Sequence, residues 1–417
     1  MSTENPRHTL LSITGLSPQV VTETLYGIHK QGLPWPNELI ILTTRQGAEQ
    51  AQLGLCCPTN QQEHNMLAQC CIDLKRPQIS DIKIEIIPDH KGNPIDDARS
   101  REDQEALADY IVKRVARLCA DPQCTTLHAS LAGGRKTMTF FLGYAMSLFA
   151  RPNDRLSHVL INPVEYEGLR DFYYPTSYTN PIIGRNPNQR LDTHEDKVQV
   201  MLADIPFIRQ RDQLEKSVLV RFCDKEEQLT YRQLVQLQQL ASYPDAKNEI
   251  HLDFNLTERA VSILYKNEHI VTINMDKKPL ELAYYAMIAR HNSESSDKRY
   301  HREYALHEKN WSTYRSAYLQ ELWIVNDPKH EPYSGEDIFK DWLVQYDNYY
   351  HGAHIEKTLK GLKTPTPAFF DDRKTALGKL LKKQLPMELV SLIEPAQVFN
   401  LSKYLGLKVC SNLCLKD

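Results

Sequence analysis

Short apolar runs alternate with amphipathic segments over the first 180 residues of the chain. Runs rich in β-branched residues predict strands, and apolar residues three and four positions apart predict helices. The predicted strands are 9–14, 38–44, 82–88, 125–130 and 158–163, and the predicted helices are 18–32, 101–119 and 136–150. Regular strand–helix alternation is typical of an α/β fold, here a Rossmann-like parallel sheet with helices on both faces.

The pattern changes after residue 180. The stretch 181–197 is rich in Pro, Asn and Gly, which predicts an exit from the first domain. A predicted helix at 230–241, short strands within 251–275 and a helix at 279–291 are consistent with a winged-helix module, and the rest is mainly helical and charged. We therefore predict three domains: a Rossmann-like domain over 1–185, a winged-helix-like domain over 200–295 and a mainly helical domain over 296–417.

Composition narrows the class of protein. The 417 residues are 41% hydrophobic and 25% charged, with a net charge of −3, so any nucleic acid would have to meet a local basic patch. No apolar run reaches the roughly 20 residues of a membrane span, and we expect no signal peptide and no membrane contact. Nine cysteines, some in adjacent pairs, fit neither a disulfide framework nor a zinc site, which favours a reduced, cytoplasmic protein without a metal ion.

The loop after the first predicted strand has features of an anion site. Thr14 and Gly15 end the strand, and Ser17 precedes Pro18 at the start of the next helix. Ser17 is placed to cap that helix, whose unbonded N–H groups and positive dipole end favour an anion. Gln19 is placed to read a base edge or a ribose hydroxyl. An ordinary strand–turn–helix connection without a ligand fits the same residues, and the sequence leaves both interpretations open.

A second such loop, SLAGGRKT (130–137), follows the fourth predicted strand. Gly133 and Gly134 allow a ligand to approach the backbone closely. Arg135 and Lys136 stand at a helix start, where the dipole disfavours a cation by roughly a few tenths of a kcal/mol, and a bound anion would remove that conflict. The spacing matches neither a Walker A loop nor a dinucleotide loop. We expect a phosphate or phosphodiester held in another way, and a Gly-Gly turn with two solvated cations is the alternative.

These segments resemble a known family. SITGLSPQVVTETLYGI (12–28), LHASLAGGRKTMTFFLGYAMSLF (127–149) and EYEGLRDFYYPT (165–176) are similar to the CARF domain, the CRISPR-associated Rossmann fold of type III CRISPR accessory proteins, and within it to ring nucleases of the Csm-like class. The resemblance covers about residues 8–180. It implies a homodimer that binds one cyclic oligoadenylate across its two-fold axis.

The resemblance also implies an activity. Some CARF proteins cut the ring without a metal ion, by attack of a ribose 2′-OH on the adjacent phosphorus, which leaves a 2′,3′-cyclic phosphate. We expect a ring nuclease that attenuates type III CRISPR signalling, with cyclic tetra-adenylate favoured, hexa-adenylate as the other candidate, and no cofactor. The expected catalytic residues are Lys136, Arg135 and Ser17, and the expected ligand-binding residues are Thr14, Gly15, Gln19, Ser130, Gly133, Gly134 and Thr137. No histidine lies in either loop, so turnover should be slow.

The C-terminal half offers two alternatives. Arg302 and His307 fit the Arg-x(4–6)-His spacing of HEPN ribonucleases, which would make the protein a messenger-activated effector, but so short a spacing also arises by chance, and two solvated helix residues fit it as well. The winged-helix interpretation favours a messenger-responsive DNA-binding regulator. A basic helix at 371–385 could contact DNA or RNA phosphates, or be a solvated face; its cations are Arg373, Lys374, Lys379, Lys382 and Lys383.

Overall fold

The structure is a computed structural model that describes residues 6–58, 63–213, 222, 229–242, 249–294, 317–322, 324–325 and 367–395. The chain forms two compact units. The first comprises Met1–Glu215 with Phe222–Arg232, and the second comprises Lys216–Arg221 with Gln233–Asp417. Each unit is described separately below.

The first unit is an α/β domain, as the alternating pattern predicts. Its strands are β1 (Arg7–Ile13), β2 (Glu38–Thr43), β3 (Asp81–Ile86), β4 (Cys124–Ser130), β5 (Arg155–Asn162), β6 (Pro181–Ile183), β7 (Arg190–Asp192) and β8 (Gln199–Asp204). Its helices are α1 (Val20–Lys30), α2 (Arg45–Ala51), α3 (Met66–Asp73), α4 (Arg101–Ala120) and α5 (Lys136–Phe149). The main sheet has the order β3-β2-β1-β4-β5-β8, and its first five strands are parallel. The predicted Rossmann-like sheet is therefore confirmed.

Helices cover the sheet on both faces. All six residues of β2 are buried, as expected for an interior parallel strand. On one face, α1 and α3 pack on alternate residues of β1 and β2, including Leu10, Leu39 and Ile41. On the other face α4 lies beside α5, and a Cβ added to Gly143 of α5 would stand 3.9 Å from Leu156 of β5. Because the helices follow the strands, α1, α2 and α5 all begin at the carboxyl edge of the sheet.

The first domain does not end at residue 185, so the predicted boundary is too early. The strand β8 pairs with β5 in antiparallel register and completes the sheet. Gly27 of α1 packs against Leu202 of β8, and Gln31 donates a hydrogen bond to the Leu202 carbonyl at 2.7 Å. The stretch predicted as a domain exit instead forms the hairpin β6–β7, whose Ile182 is 7% exposed. Pro, Asn and Gly here mark a hairpin turn rather than a linker.

The second unit joins residues that we predicted as two domains. Its described elements are α6 (Tyr231–Ser242, which begins in the first unit), β9 (Ile250–Asn255), β10 (Ala260–Tyr265), β11 (Glu268–Asn274), α7 (Pro279–Glu294), α8 (Pro367–Gln384) and α9 (Met387–Ile393). The three strands form an antiparallel meander in the order β11-β10-β9. Residues 214–221 and 223–228, just before α6, lie outside the described residues, and the winged-helix assignment stays a prediction.

Candidate anion site at the carboxyl edge of the sheet

The two glycine loops meet, as the sequence predicts. A Cβ added to Gly15 would lie 3.5 Å from the Cα of Gly134. A Cβ on Gly133 would lie 2.8 Å from the carbonyl oxygen of Ile13, and one on Gly134 would collide with the Ile13 side chain. Gly134 also has a φ of +84°, which favours glycine. Residues 14–19 and 130–137, here called the first and second loops, therefore form one packed surface.

Two helices begin at this surface without a side-chain cap. The N-cap of α1 is Gln19, and the N-cap of α5 is Arg135; neither side chain bonds to its own helix start. Ser17 is exposed and does not cap α1, so that part of the sequence interpretation is wrong: the helix starts two residues later than predicted, at Val20. Uncapped N–H groups at the positive ends of two dipoles provide a place for an anion.

The cations of the second loop differ in their partners. Arg135 forms an ion pair with Asp97, from the loop after β3. Lys136 and Thr137 are exposed, and the ammonium group of Lys136 has no hydrogen bond or ion pair within the described part of the chain. A similar pair stands at the start of α2, where Arg45 Nε lies 3.0 Å from Asp96 Oδ1. Lys136 is thus the loop cation whose charge remains available to a ligand.

Two residues that we expected to contact the ligand have side chains that face the protein interior. Ser130 is fully buried, and its hydroxyl lies 3.0 Å from that of Thr24 on α1. Thr14 is also fully buried; its carbonyl accepts a hydrogen bond from Thr43 at 2.8 Å. Its hydroxyl has no partner among the described residues. These two residues hold the base of the loops together, and they do not present their hydroxyls to solvent.

Gln19 is fixed by a segment that comes from far along the chain. Its Nε2 donates a 2.7 Å hydrogen bond to the carbonyl of Arg170, and Thr22 donates one of 2.8 Å to the carbonyl of Tyr173. Gln19 is 7% exposed, and its Oε1 has no partner among the described residues. The stretch 164–173 therefore closes the site on the side of α1.

One buried ionisable side chain near the loops was not predicted from the sequence. Glu23, in the first turn of α1, is only 4% exposed. Burial raises the pKa of its carboxyl to about 8, and the charge of nearby Glu167 adds to the rise. The spacing of four residues after Gln19 was the available signal, because it places both side chains on one helix face.

Aromatic side chains continue from the site along α5. Phe140 and Tyr144, one and two turns beyond Lys136, are 61% and 38% exposed, and their rings stack at 6.0 Å. Phe141 and Tyr231 make edge contacts with this pair, at 5.6 Å and 6.1 Å. We call Phe140, Phe141, Tyr144 and Tyr231 the aromatic patch.

The other functional residues that the sequence predicts are not part of this site. Arg302 and His307 lie outside the described residues. On the predicted basic helix, Arg373 is held by the buried Glu281 at 3.1 Å, whereas Lys379, Lys382 and Lys383 are exposed. No group of three or more metal-ligating side chains occurs in the described ranges. None of the helices in those ranges is long and apolar enough to cross a membrane.

The fold defines a Rossmann-like α/β protein, with a candidate anion site at the carboxyl ends of its strands. The family model for CRISPR-associated protein NE0113 matches residues 17–239, which is more than half of the chain. The chain therefore belongs to this CRISPR-associated family, in line with the resemblance seen in the sequence. No curated protein matches it. A similar solved structure is Enterococcus italicus Csm6 bound to cyclic hexa-2'-fluoro-hexa-dAMP, with 12% identity, a TM-score of 0.29, and coverage of 91% of this chain and 100% of that one.

Proposed function

We propose that this protein is a homodimeric, CARF-type ring nuclease that binds cyclic oligoadenylate and opens the ring. The observation that carries the proposal is the meeting of the first and second loops at the starts of α1 and α5, beside Lys136, whose ammonium group has no partner among the described residues. Membership of a CRISPR-associated family supports the biological setting. The sequence resemblance supplies the ligand, a cyclic RNA messenger with one phosphate per nucleotide.

The site suits a phosphodiester. Backbone N–H groups at two uncapped helix starts can donate hydrogen bonds to phosphate oxygens, and Lys136 can contribute a point charge. Gly133 and Gly134 carry no side chain that would keep a phosphate from the backbone. Exposed Thr137 adds a hydroxyl donor at the same edge.

The second half of the site comes from a second copy of the chain in this proposal. The aromatic patch offers an apolar surface one helix turn from Lys136, and self-association would bury it. An isologous dimer would bring two copies of each loop to one two-fold axis, and a ring of even size shares that symmetry. Cyclic tetra-adenylate is favoured, and hexa-adenylate is the other candidate.

Ring opening is then a transesterification. The 2′-oxygen of one ribose attacks the adjacent phosphorus, the bond from phosphorus to O5′ breaks, and the products carry a 2′,3′-cyclic phosphate and a 5′-hydroxyl. The loops contribute alignment of the attacking and leaving oxygens. Lys136, with Arg135 behind it, stabilises charge on the phosphoryl oxygens in the transition state. Exposed Ser17 is placed to orient the attacking hydroxyl. Removal of the messenger would attenuate type III CRISPR signalling.

A single-turnover assay tests the proposal. Labelled cyclic tetra- and hexa-adenylate are incubated with excess protein in EDTA, and the linear products are separated. We expect linear products with a 2′,3′-cyclic phosphate, and we expect Lys136→Ala to lose cleavage more than binding. Lys197→Ala, which changes an exposed lysine in the 194–197 turn, is the matched control.

The same preparations discriminate the alternatives. A ring that stays bound but intact would refute cleavage and leave the protein a sensor. RNA cleavage that requires the ring and disappears in His307→Ala would assign an effector ribonuclease instead. A duplex-DNA gel shift that changes with the ring would assign a DNA-binding regulator.

A further inference from the structure

A third strand end contributes a cation to the edge of the sheet at which the two loops meet. Arg45 follows β2, which lies beside β1 in the sheet. The two strands end at the same level, because Ile13 of β1 is paired with Leu42 of β2. Their ends are also bonded to each other, since the Thr43 hydroxyl donates a 2.8 Å hydrogen bond to the carbonyl of Thr14. Arg45 therefore stands beside the first loop.

The segment that carries Arg45 packs directly on the first loop. A Cβ added to Gly47 would stand 2.9 Å from the carbonyl oxygen of Gly15. On its other side Gly15 packs against the second loop, at Gly134. The sheet has the same order, with β1 between β2 and β4. Neighbouring strands are about 4.8 Å apart, so Arg45 and Arg135 follow strands that are about 10 Å apart, one on each side of the first loop.

Both arginines bind carboxylates of one short segment. Asp96 Oδ1 lies 3.0 Å from Nε of Arg45, and Asp97 forms the ion pair with Arg135. The segment is fixed beside Arg45, because the carbonyl of the buried Ile95 accepts a 2.9 Å hydrogen bond from the Arg45 backbone N–H. Two adjacent carboxylates thus occupy the cations of two different strand ends.

These ion pairs are open to exchange. The side chains of Arg45 and Asp96 are 50% and 66% exposed, and that of Arg135 is 42% exposed. Ion pairs at such exposure contribute little to stability, so a phosphate can replace the carboxylate. A guanidinium binds carboxylate and phosphate oxygens with the same planar set of donors. Asp97 keeps a cation when Arg135 leaves it, because Arg99 Nε lies 2.7 Å from its Oδ2.

We propose that Arg45 binds a second phosphate of the ring, and that Asp96 and Asp97 fill the phosphate positions of Arg45 and Arg135 in the ligand-free protein. This inference rests on the proposed function. One phosphate is too small to reach the ends of strands that are about 10 Å apart, whereas the ring carries one phosphate per nucleotide. Ring binding then exchanges two internal carboxylates for two phosphates in each protomer.

Equilibrium binding of labelled cyclic tetra- and hexa-adenylate to the full-length protein tests the inference. Wild type, Arg45→Gln, Asp96→Asn and the double variant are compared from about 50 to about 200 mM salt, and only ring that is recovered intact is counted as bound. The matched control is Arg155→Gln. It breaks a similarly exposed ion pair, at 2.6 Å with Asp204, at the opposite edge of the sheet.

The variants should differ in both affinity and salt dependence. For Arg45→Gln we expect an affinity about tenfold lower and a slope of log affinity against log salt that is shallower by up to about 0.7, the value for one phosphate contact with a single strand. For Asp96→Asn we expect an affinity several-fold higher at low salt, because the internal competitor has lost its charge. The double variant should bind like Arg45→Gln, since Asp96 competes only through Arg45. Arg155→Gln should keep the affinity and slope of wild type.

Each part of the inference has its own contrary result. If Arg45→Gln matches Arg155→Gln in affinity and slope, Arg45 does not bind a phosphate. If Asp96→Asn raises the affinity equally without Arg45, Asp96 repels the ring by its charge alone and does not stand in for a phosphate. A wild type that binds neither ring overturns the proposed function, and this inference with it.

Discussion

Replacing Glu23 by Gln should stabilise the ligand-free protein increasingly as the pH rises. The substitution keeps the shape of a side chain that is 4% exposed and removes its charge. Burial raises the pKa of Glu23 from an ordinary 4.5 to about 8. Each pKa unit between the folded and unfolded states corresponds to about 1.36 kcal/mol, which gives an upper value of about 5 kcal/mol.

The sign follows from the direction of the pKa change. The folded state holds the Glu23 proton more tightly than the unfolded state, so its contribution to stability is complete below pH 4.5 and is lost as the pH rises to about 8. Relative to Glu23→Gln, wild type should lose about 2 kcal/mol of unfolding free energy by pH 6 and about 4 kcal/mol by pH 8.

Urea unfolding read by hydrogen-exchange mass spectrometry measures this difference. Peptides from β1 and α1 report on the first unit separately from the second, and the full chain is used at pH 5, 6, 7 and 8. Glu49→Gln, which changes an exposed glutamate of α2, controls for the loss of one negative charge and should run parallel to wild type. If the unfolding free energies of wild type and Glu23→Gln change with pH in the same way, Glu23 is not a buried carboxyl that holds its proton.

Three further substitutions, one of them with a matched control, test the architecture around the site. Phe140→Asp places a charge in the aromatic patch, and sedimentation should report the monomer mass; a retained dimer would contradict the proposed face. Gly134→Ala should destabilise the first unit by about 2–4 kcal/mol in thermal unfolding, because it combines positive φ with a collision against Ile13. Gly92→Ala, at φ +87° in open space, should lose only about 1–2 kcal/mol, and equal losses would disprove the packing account. Asp97→Asn releases Arg135 and should tighten ring binding several-fold at low salt, less so at high salt; weaker binding would mean that Asp97 orients the arginine.

The sequence predicts the elements whose signals are local. The strands β1 to β5 and the helices α1, α4 and α5 lie within a few residues of their predicted bounds, because each carries its own periodicity. The strand β8 was missed because its evidence is non-local: its place depends on pairing with β5 and on the close approach of Gly27 to Leu202. The turn that precedes β8 is rich in Pro and Asn, a composition that is also typical of a linker between domains.

The residues of the candidate site also fall into those that the sequence predicts and those that it does not. Gly133 and Gly134 could be found from sequence, since a Gly-Gly pair after a strand is a local signal. The partners that decide what the loops do lie far away: Asp97 is 38 residues from Arg135, and the Arg170 carbonyl is 151 residues from Gln19. The sequence likewise offered hydroxyls at Thr14 and Ser130 but not their burial, which depends on how α1 packs on the sheet.

The charges of the site are neutralised largely by ion pairs within the first unit. Asp96 and Asp97 pair with Arg45 and Arg135, so these arginines contribute little net charge at a distance, whereas Lys136 keeps its charge available. An ionised Glu23 would oppose both Lys136 and the dipole of α1, and its proton removes that opposition. In the proposed function this proton leaves a positive field for the anion. Binding of the ring should then weaken when Glu23 ionises. Glu23→Gln keeps the side chain neutral at every pH, so its affinity for the ring should not fall in the same way.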